Sequence, residues 1–173
     1  MTEKLELARQ LAMAAVEAIW DKKGFDVVAM QVREIVQYTD FIVVASARNE
    51  RQATAIADNV ETALRENLQQ KPIGEEGRRG GRWVLLDYGD IVVHVFHRPV
   101  RDYYELERLY ADAPHLKLEE PKWVHEIGGE EGAEEAGEYN DLVWQNAKWA
   151  QGDEAALAED DEAAEDDAAD EEV

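Results

Sequence analysis

The sequence predicts an α/β domain with a mixed β-sheet flanked by helices, followed by an acidic C-terminal extension. Three observations predict it. Two long segments repeat apolar residues at helical spacing. Short β-rich runs lie between and after them. Charge divides sharply along the chain. The 173 residues carry 18 Lys+Arg and 40 Asp+Glu, a formal net charge of −22. Residues 1–113 hold 15 basic and 19 acidic residues, a net of −4, whereas residues 114–173 hold 3 and 21, a net of −18. About 110 residues suffice for one sizeable core and are too few for two. The absence of cysteine excludes disulfides, thiolate catalysis and Cys-ligated zinc. No apolar run approaches the ~18 residues of a membrane helix. The start, Met1-Thr2-Glu3-Lys4, lacks the basic-then-apolar pattern of a signal peptide, so a soluble cytoplasmic protein is expected. So acidic a chain is a poor general nucleic-acid binder, because phosphate repels it.

The elements follow in order. Leu5, Ala8, Ala12, Ala15, Val16 and Ile19 line one side of a helix over residues 4–21, which Gly24 is expected to stop. Residues 26–32 read as a strand. Residues 40–45 form a continuous apolar run, as expected of a strand buried on both faces. Ala53, Ile56, Ala57, Val60, Leu64 and Leu68 mark a second helix over 50–70, ended by Pro72 and Gly74, and residues 72–76 are read as a short strand. Residues 102–112, with Tyr103, Tyr104, Leu106, Leu109 and Tyr110, read as a final short helix, giving the order α-β-β-α-β-β-β-α. In the extension, Tyr139, Val143, Ala147 and Ala150 sit at helical spacing and suggest a docking helix within 114–150. Residues 151–173 are almost wholly Ala, Asp and Glu and are expected to be disordered, a solvated tail or an arm for basic surfaces.

Residues 82–97 are the most legible segment. Two β-rich runs flank Gly89-Asp90, a hairpin turn. With that turn, residue 86 faces 93, 84 faces 95 and 83 faces 96. One face then holds Val84, Leu86, Tyr88, Ile91, Val93 and Val95 and should pack on helices. The other holds Trp83, Leu85, Asp87, Val92, His94 and Phe96. Such a mixture of aromatics and polar residues suits either an interface or a second core face under a further helix, and the pattern alone does not separate the two.

Candidate chemistry is sparse. His94 and His97 are an odd number of strand positions apart, so they face opposite ways and cannot share an ion without a bulge. His125 has no evident partner. Asp87 and Asp90 flank a turn, where Asp is ordinary, and Asp40 stands at a strand start. The loop from Ala45 to Arg51 contains no glycine to cradle a phosphate, and Ser46 has no histidine placed to activate it. Gly77-Arg78-Arg79-Gly80-Gly81-Arg82 is a basic turn that suits either phosphate contact or plain solvation.

The stretch from Trp83 to Phe96 (WVLLDYGDIVVHVF) and the segment from Arg101 to Tyr110 (RDYYELERLY) resemble the ribosomal silencing factor family, RsfS or Iojap. So do Thr39-Asp40-Phe41-Ile42-Val43, Ser46, Arg51 through Ala57-Asp58, and Gly74-Glu75-Glu76-Gly77, and together these ordered blocks span residues 4–113. The resemblance implies a fold related to nucleotidyltransferases without their catalytic acids, hence no enzyme and no cofactor. It implies binding to ribosomal protein fourteen of the large subunit, which blocks docking of the small subunit and lowers translation when nutrients are scarce. Trp83 matches the family's interface tryptophan. Tyr88 stands where the family often has leucine, beside the turn, from where it would reach the partner at the hairpin tip. Leu109-Tyr110 stands where a Leu-Trp pair is frequent. The expected interface is Trp83, Leu85, Asp87, Tyr88, His94 and Phe96, with Arg78, Arg79 and Arg82 at the rim against rRNA or acidic side chains. No membrane contact is expected, and the free protein is expected to be a monomer or weak homodimer. A large-subunit assembly factor and a nucleotide-using transferase are the alternatives. The extension from Pro114 onward lies outside the resemblance.

Overall fold

A computed structural model of the chain describes residues 2–127; the docking helix expected around 139–150 and the tail 151–173 lie outside the described residues. The elements are α1 (Glu3–Asp21), β1 (Phe25–Gln31), β2 (Phe41–Ala47), α2 (Glu50–Leu68), β3 (Gly74–Glu76), β4 (Trp83–Asp87), β5 (Ile91–His97) and α3 (Arg98–Tyr104). A 3₁₀ segment (Leu106–Tyr110) and a last helix, α4 (Lys122–Ile127), follow. The strands form one mixed sheet in the order β1-β2-β5-β4-β3, with only the β2–β5 pair parallel. Among the described residues no helix is long and apolar enough to cross a membrane.

Both long helices are started by local side chains. Thr2 at the N-cap of α1 accepts from the Leu5 amide, and Asn49 at that of α2 accepts from the Gln52 amide at 2.8 Å. The apolar stripes named above then pack together on one face of the sheet. Ala8, Ala12, Ala15, Val16 and Ile19 of α1 meet Ala53, Ile56, Ala57, Val60 and Leu64 of α2 in one core. Phe41, Val43 and Ala45 of β2 and Val84, Leu86, Tyr88, Ile91, Val93 and Val95 of the hairpin complete it. The expected face assignment of the hairpin therefore holds. So does its register, Trp83 opposite Phe96 and Leu86 opposite Val93. At the turn the Tyr88 amide donates to the Ile91 carbonyl at 2.9 Å, and Gly89 takes a φ of +81°, which the first central position of a type II′ turn requires.

β2 and β5 are buried at all seven positions each. Their second face is covered by α3, which packs on β5 and β2, and Val100, Leu106 and Tyr110 of the last helical turns are buried. That covering differs from the single helix expected over 102–112. Pro99 lies in the first turn of α3, which starts earlier, at Arg98. Glu105, at φ +45°, ends it in a left-handed conformation before the 3₁₀ segment. Two arginines fasten the cover. β1 bulges between Phe25 and Val28, with Asp26 at φ +48°. Arg101 donates to the freed Asp26 carbonyl at 2.5 Å, to Ser46 Oγ at 2.8 Å and to Glu107 at 2.7 Å, while Arg98 pairs with the Asp26 carboxylate. Ser46 is thus a buried acceptor.

The start of the extension closes the sheet at β1. The Gln31 amide donates to the Pro114 carbonyl and the Leu116 amide to the Ala29 carbonyl, both at 2.8 Å. Leu116 and Leu118 pack against the core, and the Lys23 ammonium lies 4.3 Å from the centre of the Trp123 ring. Replacing Leu116 and Leu118 together by serine is expected to lower stability by about 1–3 kcal/mol, read from the midpoint of urea unfolding.

Candidate functional site

On its second face β4 is only half enclosed. Trp83, Leu85 and Asp87 alternate along it towards the second face and are half-buried, while Val84 and Leu86 between them are fully enclosed. Beneath Trp83 lies Phe96, its register partner, with ring centroids 4.7 Å apart and planes stacked at 28°. Beside it stands Tyr104 at the end of α3, at 5.0 Å and 48°. Tyr103 meets Tyr104 edge-on at 5.0 Å. Tyr103 is 54 % exposed, Tyr104 49 % and Leu109 on the 3₁₀ segment 72 %. The result is a half-open aromatic cluster fixed from below by strand register and from the side by α3.

The indole N–H of Trp83 is satisfied from within the cluster. The Trp83 indole Nε1–H donates to His94 Nδ1 at 3.0 Å. An accepting Nδ1 carries no proton, so the imidazole is neutral with its proton on Nε2. Burial pushes the His94 pKa from 6.5 down to about 4, against a small opposing pull from the Glu107 carboxylate. Asp87 is bound to the turn: its Oδ1 accepts from the Gly89 amide at 2.8 Å.

The expected site residues are only partly brought together. Trp83, Leu85, Asp87, His94 and Phe96 share the second face, although His94 and Phe96 are its buried floor rather than its surface. Tyr88 lies on the helix side of the sheet, 7 % exposed, with burial and then the Glu61 charge pushing its pKa up to about 12. A residue enclosed in that core does not reach outward from the hairpin tip. Arg78 is engaged by Glu61 at 2.6 Å, Glu75 at 2.7 Å and Asp58, tying α2 to β3. Arg82 pairs with Glu50 at 3.3 Å, and Arg79 is exposed. The loop carrying them is bound tightly to β4: at Gly77, φ +75°, a Cβ would stand 1.8 Å from the Trp83 carbonyl oxygen. Tyr104 belongs to the aromatic cluster although the sequence pattern does not single it out. Adjacent exposed tyrosines in a short helix were the available signal, but only the tertiary fold brings Tyr104 to Trp83. Among the described residues no three His, Asp or Glu side chains are grouped to hold a metal ion.

Residues 5–172 match the family model described as ribosomal silencing factor during starvation, RsfS. The chain belongs to this family. It is 41% identical over 112 residues to the ribosomal silencing factor RsfS of Halalkalibacterium halodurans, covering 64% of this chain and 94% of the relative. It is 37% identical over 112 residues to RsfS of Bacillus subtilis, covering 64% and 93%. A crystal structure of a protein from Chromobacterium violaceum superposes with a TM-score of 0.58 at 31% identity, covering 72% of this chain and 97% of that one.

The buried imidazole in this RsfS-family chain has a consequence for stability. The unfolded chain takes up a proton on His94 near pH 6.5, whereas the folded chain does so only near 4. The stability it contributes is therefore complete above about 6.5 and lost as pH falls towards 4. His97, whose pKa burial also lowers, acts in the same direction. Unfolding free energy is expected to fall by about 2 kcal/mol from His94 between pH 7 and 5. His94→Gln, which keeps an acceptor and does not titrate, should show a shallower pH dependence in urea titrations.

Proposed function

We propose that this chain is a cytoplasmic ribosomal silencing factor that acts by occupancy rather than by catalysis. It binds the large ribosomal subunit through ribosomal protein fourteen, stands where the small subunit would dock, and so represses translation under nutrient limitation. The observation that carries this reading is family membership joined to a half-open aromatic cluster, Trp83 with Tyr104, at the half-buried face of β4. Trp and Tyr in a preformed, partly desolvated setting are the residue types that dominate binding energy at protein interfaces. A domain roughly 25–30 Å across then suffices for steric exclusion. On this reading Trp83, Leu85 and Asp87 face the partner, His94 and Phe96 support them, and Tyr88 serves the core. Arg79, the arginine of its loop without a carboxylate partner among the described residues, is the best placed for a rim contact with rRNA. The fold's kinship with nucleotidyltransferases belongs to the same reading: the scaffold is used for its surface.

Sedimentation of purified subunits through sucrose with the full chain tests this. Wild type should travel with the mature large subunit and suppress formation of the joined ribosome. Trp83→Ala and Tyr104→Ala should each weaken binding about 30-fold or more, and Tyr104, being exposed, should do so with little loss of stability. Binding to immature particles alone would favour the assembly reading. Binding to neither subunit, with a melting temperature raised by a nucleoside triphosphate and Mg²⁺, would favour a transferase.

A further inference from the structure

We infer that His94 is a positioning residue for Trp83, holding the indole in one orientation so that the ring meets its partner already ordered. The inference rests on the reading above that Trp83 faces the large subunit. His94 stands opposite Leu85 in the strand ladder, so Trp83 reaches it diagonally across the β4–β5 pair. The contact is a directional one, indole Nε1–H to Nδ1 at 3.0 Å. Among the described residues the Trp83 ring also meets two aromatic rings, Phe96 stacked below it and Tyr104 tilted beside it. Stacking fixes the plane of an indole and tolerates its rotation within that plane, whereas a hydrogen bond sets the direction of one bond. The imidazole itself is only 6 % exposed, so it offers a partner almost no surface and acts through the ring above it. The same bond gives the part-buried Trp83 N–H its acceptor. An indole held in its bound rotamer loses less freedom on association than one that must be ordered then.

The test uses the full chain and purified large subunits. His94→Leu should weaken binding by about 3- to 10-fold, the worth of one ordered side chain or one hydrogen bond. His94→Gln, which offers an amide oxygen to the indole, should recover most of that loss. In a Trp83→Phe background, which has no indole N–H, His94→Leu should cost nothing further. Nitrogen-15 spectra give a reading that involves no ribosome. The Trp83 indole resonance should shift in His94→Leu and hold in His94→Gln, and wild type should show coupling between Trp83 Nε1 and His94 Nδ1 across the hydrogen bond. If His94→Leu binds as wild type does, or costs as much in the Trp83→Phe background, the positioning role is overturned while the binding site stands. Absence of the wild-type coupling overturns it even if the apolar variant fails to fold. A wild-type chain that binds no large subunit overturns the functional reading and this inference with it.

Discussion

The structure depends on two central strands that have no polar face. β2 and β5, paired in parallel, are buried at every residue. A parallel pair of this kind must be covered on both sides, because each exposed valine or isoleucine forfeits the roughly 2 kcal/mol that burial supplies. The helices α1 and α2 cover one side. The other is left to a short chain of about a dozen residues after β5, whose α3 packs on β5 and β2 and meets β4 through Tyr104 on Trp83. Trp83, Leu85 and Asp87 are left half open.

Charge serves as the fastening of that short cover. Arg101, 8 % exposed, satisfies the carbonyl freed by the β1 bulge, the Ser46 hydroxyl and Glu107 at once. A buried arginine is tolerated because these acceptors replace its hydration. At the other end of the sheet Arg78 does similar work with three carboxylates, drawing the glycine-rich turn against β4. Side chains that read in sequence as a basic patch are mostly absorbed into the scaffold. Their effect on the site is indirect: they fix the backbone from which Trp83 projects.

The aromatic cluster has the properties of a preformed anchor. Its floor is set by strand register, its flank by α3, and the direction of the Trp83 N–H by an internal acceptor. Rigid rings with an internal hydrogen bond lose little freedom when a partner covers them. This suits a protein whose proposed action is to occupy a surface and exclude another body from it.

Much of this molecule is legible in its residue pattern. Period-2 alternation around Gly89-Asp90 set the hairpin faces and register, because a pleated strand turns every second side chain the same way. The uninterrupted apolar run at 41–45 marked a strand with no exposed side, and the blocks from Thr39 to Tyr110 marked the family. Local pattern does not report what lies over a face, however. How far the second face is enclosed, on which side of the sheet Tyr88 lies and which carboxylates hold Arg78 are all decided by neighbours distant in sequence. The same holds for Pro114 to Leu118, which composition assigned to the extension and backbone pairing joins to β1. Tyr104 on Trp83 and Trp83 on His94 are contacts across 21 and 11 positions of chain. Only the tertiary structure creates them, because packing joins residues by proximity in space and not by spacing along the sequence.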